Sequence, residues 1–201
     1  CVSIIVTSTE KQEVARQAVA LFGHKWKDIP TVNLLLCEFP EPALSSAGLS
    51  KASVLYAAGT SLMRMSNYSS SEEYIKKLYD LTSASKEDDQ ALKYHLLACQ
   101  QLSNIAASRL AVEDSIAYTQ SGLMLLNREE RLRGKLSESL RQTKAILKSR
   151  LAVCYLFSGD ENQAIQTHEL LCEAPGVSDL YTLTRVDYEY NGILLHQNPE
   201  R

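Results

Sequence analysis

The 201-residue chain is poor in the two residues that punctuate chains most strongly, with only 8 glycines and 5 prolines. That scarcity argues against a turn-rich β fold and favours helices. Long apolar runs are missing as well, since no stretch approaches the roughly 18 consecutive apolar residues of a spanning helix. The apolar opening from Cys1 to Val6 is short and lacks a basic flank, so it does not read as a signal peptide. Nor is there an excess of one charge. A formal net charge of −3 gives no overall electrostatic reason to expect nucleic acid or an anionic membrane as partner. Gly-rich phosphate loops, Gly-x-Ser-x-Gly, Cys-x-x-Cys and His-Glu-x-x-His are all absent. Without a local nucleophile, phosphate or metal motif, the expectation is a protein that is not an enzyme and carries no cofactor or metal.

What is present points to a packed core. Hydrophobic residues make up 45% of the chain and charged residues 22%, as in an ordinary globular protein. Cys1, Cys37, Cys99, Cys154 and Cys172 are odd in number, widely spaced and set among apolar neighbours. They read as reduced, buried thiols, hence a reducing compartment, cytoplasmic or nuclear. Asn67-Tyr68-Ser69 matches a glycosylation acceptor, a triplet common by chance. A chain that starts on Cys rather than Met reads as a piece of something longer.

Along the chain, Thr9 to Trp26 is a helix candidate, with capping-box spacing at Thr9 and Gln12 and an apolar face of Val14, Ala18, Leu21 and Phe22. Thr31 to Phe39 is a short apolar run that periodicity leaves open between helix and strand. Residues 1–48 therefore form a helical segment and linker of less certain conformation. From Leu49 the helical pattern is steadier, with helices expected over Leu49–Met65, Glu72–Leu81, Glu87–Ser108, Val112–Leu126, Leu132–Phe157, Glu161–Cys172 and from Ser178 to about His196. The connections are short, so consecutive helices should be antiparallel neighbours.

That alternation carries a repeat. Between Leu151 and Gly176, Ala152, Tyr155, Gly159, Ala164, Ile165 and Leu171 follow a pattern of small residues, an aromatic and a turn glycine. Small residues at 152 and 164 let two helices approach, Tyr155 fills the space beside them, and Gly159 ends the first helix. Fainter copies lie at Ser103, Ala106, Ser115, Ile116 and Gly122, with Leu110 where the turn glycine would stand, and at Gly59, Leu62, Ser66, Ser71 and Leu78. The segment LAVCYLFSGDENQAIQTHELLCEAPG resembles a tetratricopeptide repeat, although the step between copies is longer than the usual ~34 residues. The resemblance covers about Leu49 to His196 and implies an all-α fold of antiparallel helix pairs, stacked as a right-handed α-solenoid over residues 49–201. It also implies a protein that binds other proteins inside a larger assembly. The lysine and asparagine pattern by which some members grip a terminal carboxylate is not evident.

Three groups of side chains invite a chemical reading. His95 with Cys99, and His168 with Cys172, are each four apart on a helix and could together suit zinc, but their apolar surroundings favour the core. Glu87-Asp88-Asp89 resembles a carboxylate cluster, yet a helix start accounts for it through the helix dipole. The third group is basic: eight of the 21 lysines and arginines fall between Arg128 and Arg150. Leu136, Leu140, Leu147 and Leu151 form a buried stripe there, with Arg141, Lys144 and Lys148 along one flank, suited to an acidic peptide or helix. No aromatic residues interleave with these charges, which argues against nucleic acid. A solvated face is the plainer alternative.

The final helix adds Tyr181, Arg185 and Tyr188, residue types enriched at interfaces, on an element whose apolar side needs a cover. A following repeat or a second copy of the chain would supply one. The expected function is therefore an interaction scaffold or adaptor, binding a peptide or helix on the concave face of the stack. The alternatives are a regulatory, ligand-sensing domain of a larger protein or, further off, a helical enzyme.

Overall fold

The computed structural model describes residues 44–45, 48–83 and 88–172, with backbone alone at 161 and 168–172. Every regular element among them is helical: α1 (Lys51–Arg64), α2 (Tyr68–Ser83), α3 (Asp89–Ser108), α4 (Val112–Arg133), α5 (Glu138–Phe157) and α6 (Glu161–Cys172). The helix expected at Thr9–Trp26, the run Thr31 to Phe39 and the final helix with Tyr181, Arg185 and Tyr188 lie outside the described residues.

Local chemistry explains where the helices start. Ser50 and Ser53 form a reciprocal box at the head of α1, each backbone N–H donating to the other's hydroxyl at 2.9 and 3.1 Å. Asp88 accepts from the Ala91 N–H at 3.1 Å and opens α3. Ser137 caps α5 through the Leu140 N–H. In α4 the first turn holds Glu113 and Asp114 and the last holds Arg131 and Arg133, a distribution that suits the helix dipole at both ends.

The pairs α1–α2, α3–α4 and α5–α6 are joined by one repeated corner. Each first helix is followed by a three-residue link, 65–67, 109–111 and 158–160. The middle residue turns left-handed, with φ of 58° at Ser66, 60° at Leu110 and 81° at Gly159. The next N–H then reaches back over the helix end: Asn67 to Leu62 O, Ala111 to Ala106 O and Asp160 to Tyr155 O, all at 2.9 Å. This is the long hydrogen bond of a Schellman turn. The same third residue starts the following helix, its carbonyl accepting from Ser71, Ser115 and Ala164 N–H.

Twelve residues separate the small residues that meet across each corner. Ser71 Oγ donates to Gly59 O at 2.7 Å, and Ser115 Oγ donates to Ser103 O at 2.9 Å. The third corner has alanine at both places: Ala152 and Ala164 are buried together with Leu156, and Tyr155 packs against them. The four positions read as repeat determinants, Ala152, Tyr155, Gly159 and Ala164, thus sit at or beside one helix crossing.

The chain falls into two compact units, Cys1–Ala98 and Cys99–Arg201, divided within α3. In the first, the core is Val54, Leu55, Ala58, Leu62, Ile75, Leu78, Leu92 and Leu96. Gly59 is needed there for space, because a Cβ would lie 2.6 Å from Ile75 Cγ1. Buried His95 shares a 3.1 Å hydrogen bond with Thr82 Oγ1 and stacks on Tyr79, with centroids 4.4 Å apart. In the second unit, buried Ser103, Ser115, Thr119 and Cys154 form a hydroxyl and thiol chain joining α3, α4 and α5.

Three boundaries differ from the sequence expectation, the first being the start of α2, which lies at Tyr68 rather than Glu72. The helix from Val112 runs on to Arg133 and stops at Gly134, which takes φ 71°. The next begins at Glu138 rather than Leu132, so Arg128, Arg131 and Arg133 belong to α4 and Lys135 to the link. Leu132, expected as the first residue of the next helix, is exposed in the last turn of α4. The physical reason is the pairing of Gly134 as a stop with Ser137 as a cap, which outweighs the apolar period.

Candidate functional site

The basic flank of α5 is the strongest candidate because its orientation follows from the core. Leu147, Leu151 and Ala145 are buried, as is Leu136 in the preceding link, and Leu140 is half-buried. With that stripe fixed inward, Arg141, Lys144 and Lys148 fall on one side of the helix at spacings of three and four residues. All three are partly buried.

Their electrostatic circumstances differ. Lys144 Nζ lies 2.6 Å from Glu130 Oε2, which ties α5 to α4 and places the flank along the seam between these two helices. Arg141 pairs with Glu138 on its own helix, while its Nε is shielded from solvent and has no hydrogen-bond partner. Lys148 makes no ion pair among the described residues. Burial lowers its pKa first, the neighbouring Lys144 charge lowers it further, and Glu130 only partly offsets both. The seam therefore holds two ion-paired cations, Arg141 and Lys144, and one, Lys148, with no ion pair among the described residues.

The pairing of Glu130 with Lys144 left no signal in the sequence because the two are 14 residues apart on different helices. Glu129 is nearly buried against Arg133, at 2.9 Å, and belongs to the C-terminal turn of α4. Gln101 and Asn104 on α3 each keep a shielded side-chain oxygen without a hydrogen-bond partner, a feature with no local signal in the sequence.

Both His95 and Cys99 are buried in the core. Burial pushes the Cys154 thiol up, opposed by its hydrogen bond with Ser115 and by the Arg150 charge, so the thiolate is disfavoured. No group of three or more His, Cys, Asp or Glu side chains among the described residues could hold a metal ion. The side chains of His168 and Cys172, like Tyr181, Arg185 and Tyr188, lie outside the described residues. No helix among the described residues is long and apolar enough to cross a membrane. Neither a family model, nor a curated protein, nor a solved structure matches the chain.

Proposed function

We propose that the chain is an interaction scaffold within a larger assembly, built as a tetratricopeptide-like right-handed solenoid of antiparallel helix pairs that receives a peptide or helix on its concave face. The observation that carries this reading is the threefold corner, with its left-handed residue seven positions, and its second small residue twelve positions, after Gly59, Ser103 and Ala152. Repeated pairs of this kind expose an extended surface lined by the first helix of each pair, and such surfaces act through contact. Under this reading Arg141, Lys144 and Lys148 favour an acidic partner.

Cross-linking in native extract tests it. The first helices α1 and α3 carry Lys51 and Lys93, and the second helix α2 carries Lys76 and Lys77. An amine-reactive cross-linker should join a reproducible protein partner to Lys51 and Lys93. Links confined to Lys76 and Lys77, or no partner above background, would sink the concave-face scaffold.

A further inference from the structure

We propose that the α4–α5 seam docks an acidic α-helix of a partner protein, through two carboxylates seven residues apart that pair with Arg141 and Lys148. The inference deepens the scaffold reading and rests on it, adding the chemistry and geometry of the partner. Its starting point is a lysine without an ion pair among the described residues, on the same helical face as an arginine with donors to spare. Lys144 has its counter-ion in Glu130, 2.6 Å away. Lys148, one turn further along, has none among the described residues, and its charged form is disfavoured by burial and by Lys144. On the other side of Lys144, Arg141 holds Glu138 but leaves its shielded Nε unbonded. A guanidinium offers five donors, so its outer N–H groups can keep or exchange Glu138 and still grip an incoming carboxylate.

The spacing selects the shape of the partner. Seven helical residues separate Arg141 from Lys148, about 10.5 Å along the axis at 1.5 Å per residue. A second helix laid beside α5 matches that interval when its carboxylates stand at i and i+7, on one face two turns apart. An extended peptide places same-side residues roughly 6.6 Å or 13 Å apart, on either side of the required distance. A nucleic-acid strand is also poorly suited. Its continuous phosphates would pass Glu130 and Glu138, and no aromatic side chain lies between residues 141 and 148 to stack a base. Two discrete carboxylates avoid both problems, since they can sit opposite Arg141 and Lys148 and leave the Lys144–Glu130 pair between them undisturbed.

Fluorescence anisotropy with defined probes tests the geometry on the full chain. The probes are a labelled, alanine-rich, helix-stapled peptide with Glu at i and i+7, the same composition with Glu at i and i+5, and a 12-nucleotide single-stranded DNA. The first peptide should bind at least tenfold more tightly than the second, and the affinity should fall with added salt. Lys148→Met and Arg141→Met, each confirmed as folded by circular dichroism, should weaken that binding about tenfold. Lys76→Met on α2 should leave it unchanged. In the wild type, the Lys148 Nζ titration followed by NMR should move to higher pH when the peptide binds. Equal binding of the two peptides, tighter binding of the DNA, no binding, or indifference to Lys148→Met would each overturn the proposal. Should it fall while partner cross-links persist at Lys51 and Lys93, only the seam is lost; loss of both removes the scaffold as well.

Discussion

Leu110 stands in the left-handed region with its side chain 77% exposed, so nothing packs to compensate a conformation that costs an L-residue about 1–2 kcal/mol. Glycine removes that strain but gives the unfolded chain more freedom, a loss of about 0.5–1 kcal/mol. Leu110→Gly should therefore stabilise the protein by about 0.5–1 kcal/mol, read as a higher denaturant midpoint at unchanged slope. Lys148 gives a prediction of opposite kind. Its folded-state pKa is lowered, so at neutral pH the folded chain carries an unfavourable charge. Stability gained by losing that proton accrues as pH rises from the lowered value to the ordinary lysine value. Lys148→Met keeps the stem without the charge and should melt higher than wild type at pH 7. The gap should close as the pH is raised through that window. A gap independent of pH would assign the effect to packing.

Among the helices, the corners form a graded series. Asn67 and Asp160 each cap the second helix of their pair, accepting from the Ser70 and Gln163 N–H groups at 3.3 and 3.1 Å. Ala111 holds the equivalent place with no side-chain cap, ahead of the longest of the six described helices. Ala111→Asp should recover the missing hydrogen bond and about 1 kcal/mol, visible in thermal or urea unfolding. These corners were legible in the sequence because they rest on local chemistry: a small residue, a turn residue seven later and another small residue twelve later. Leu110 fits the spacing while violating the residue type, because backbone hydrogen bonds rather than the side chain dictate the turn. The end of α4 was misread for the opposite reason. The charged run from Arg128 to Lys135 offers little apolar period to mark where one helix ends and the next begins. The Lys144–Glu130 contact and the displaced titration of Lys148 depend on how two helices meet, which no local spacing encodes.

At the scale of the whole molecule, the repeat reading carries a thermodynamic expectation. In stacked repeats each unit touches only its neighbours, so damage stays local. Gly59→Ala places a methyl against fully buried Ile75, and the expected overpacking of about 1–3 kcal/mol exceeds the helix-propensity gain of up to about 1 kcal/mol. Native-state hydrogen exchange should quicken in α1 and α2 and leave the amides of α5 near their wild-type protection. Uniform quickening across all six helices would instead mark a single cooperative core. The candidate partner surface at Tyr181, Arg185 and Tyr188, named from residue type and an apolar face that needs a cover, lies outside the described residues.

The three-residue corner also bears on how the chain is made. Its hydrogen bonds span five residues across the link and twelve between the small residues, so no distant segment is needed to close it. Contacts of such short sequence separation cost little loop entropy and form quickly. At a synthesis rate of about 5–20 residues per second, each pair can close within seconds of leaving the ribosome, before the next is translated. The corner thereby turns one long chain into a series of short folding problems, solved in order from the amino-terminal side.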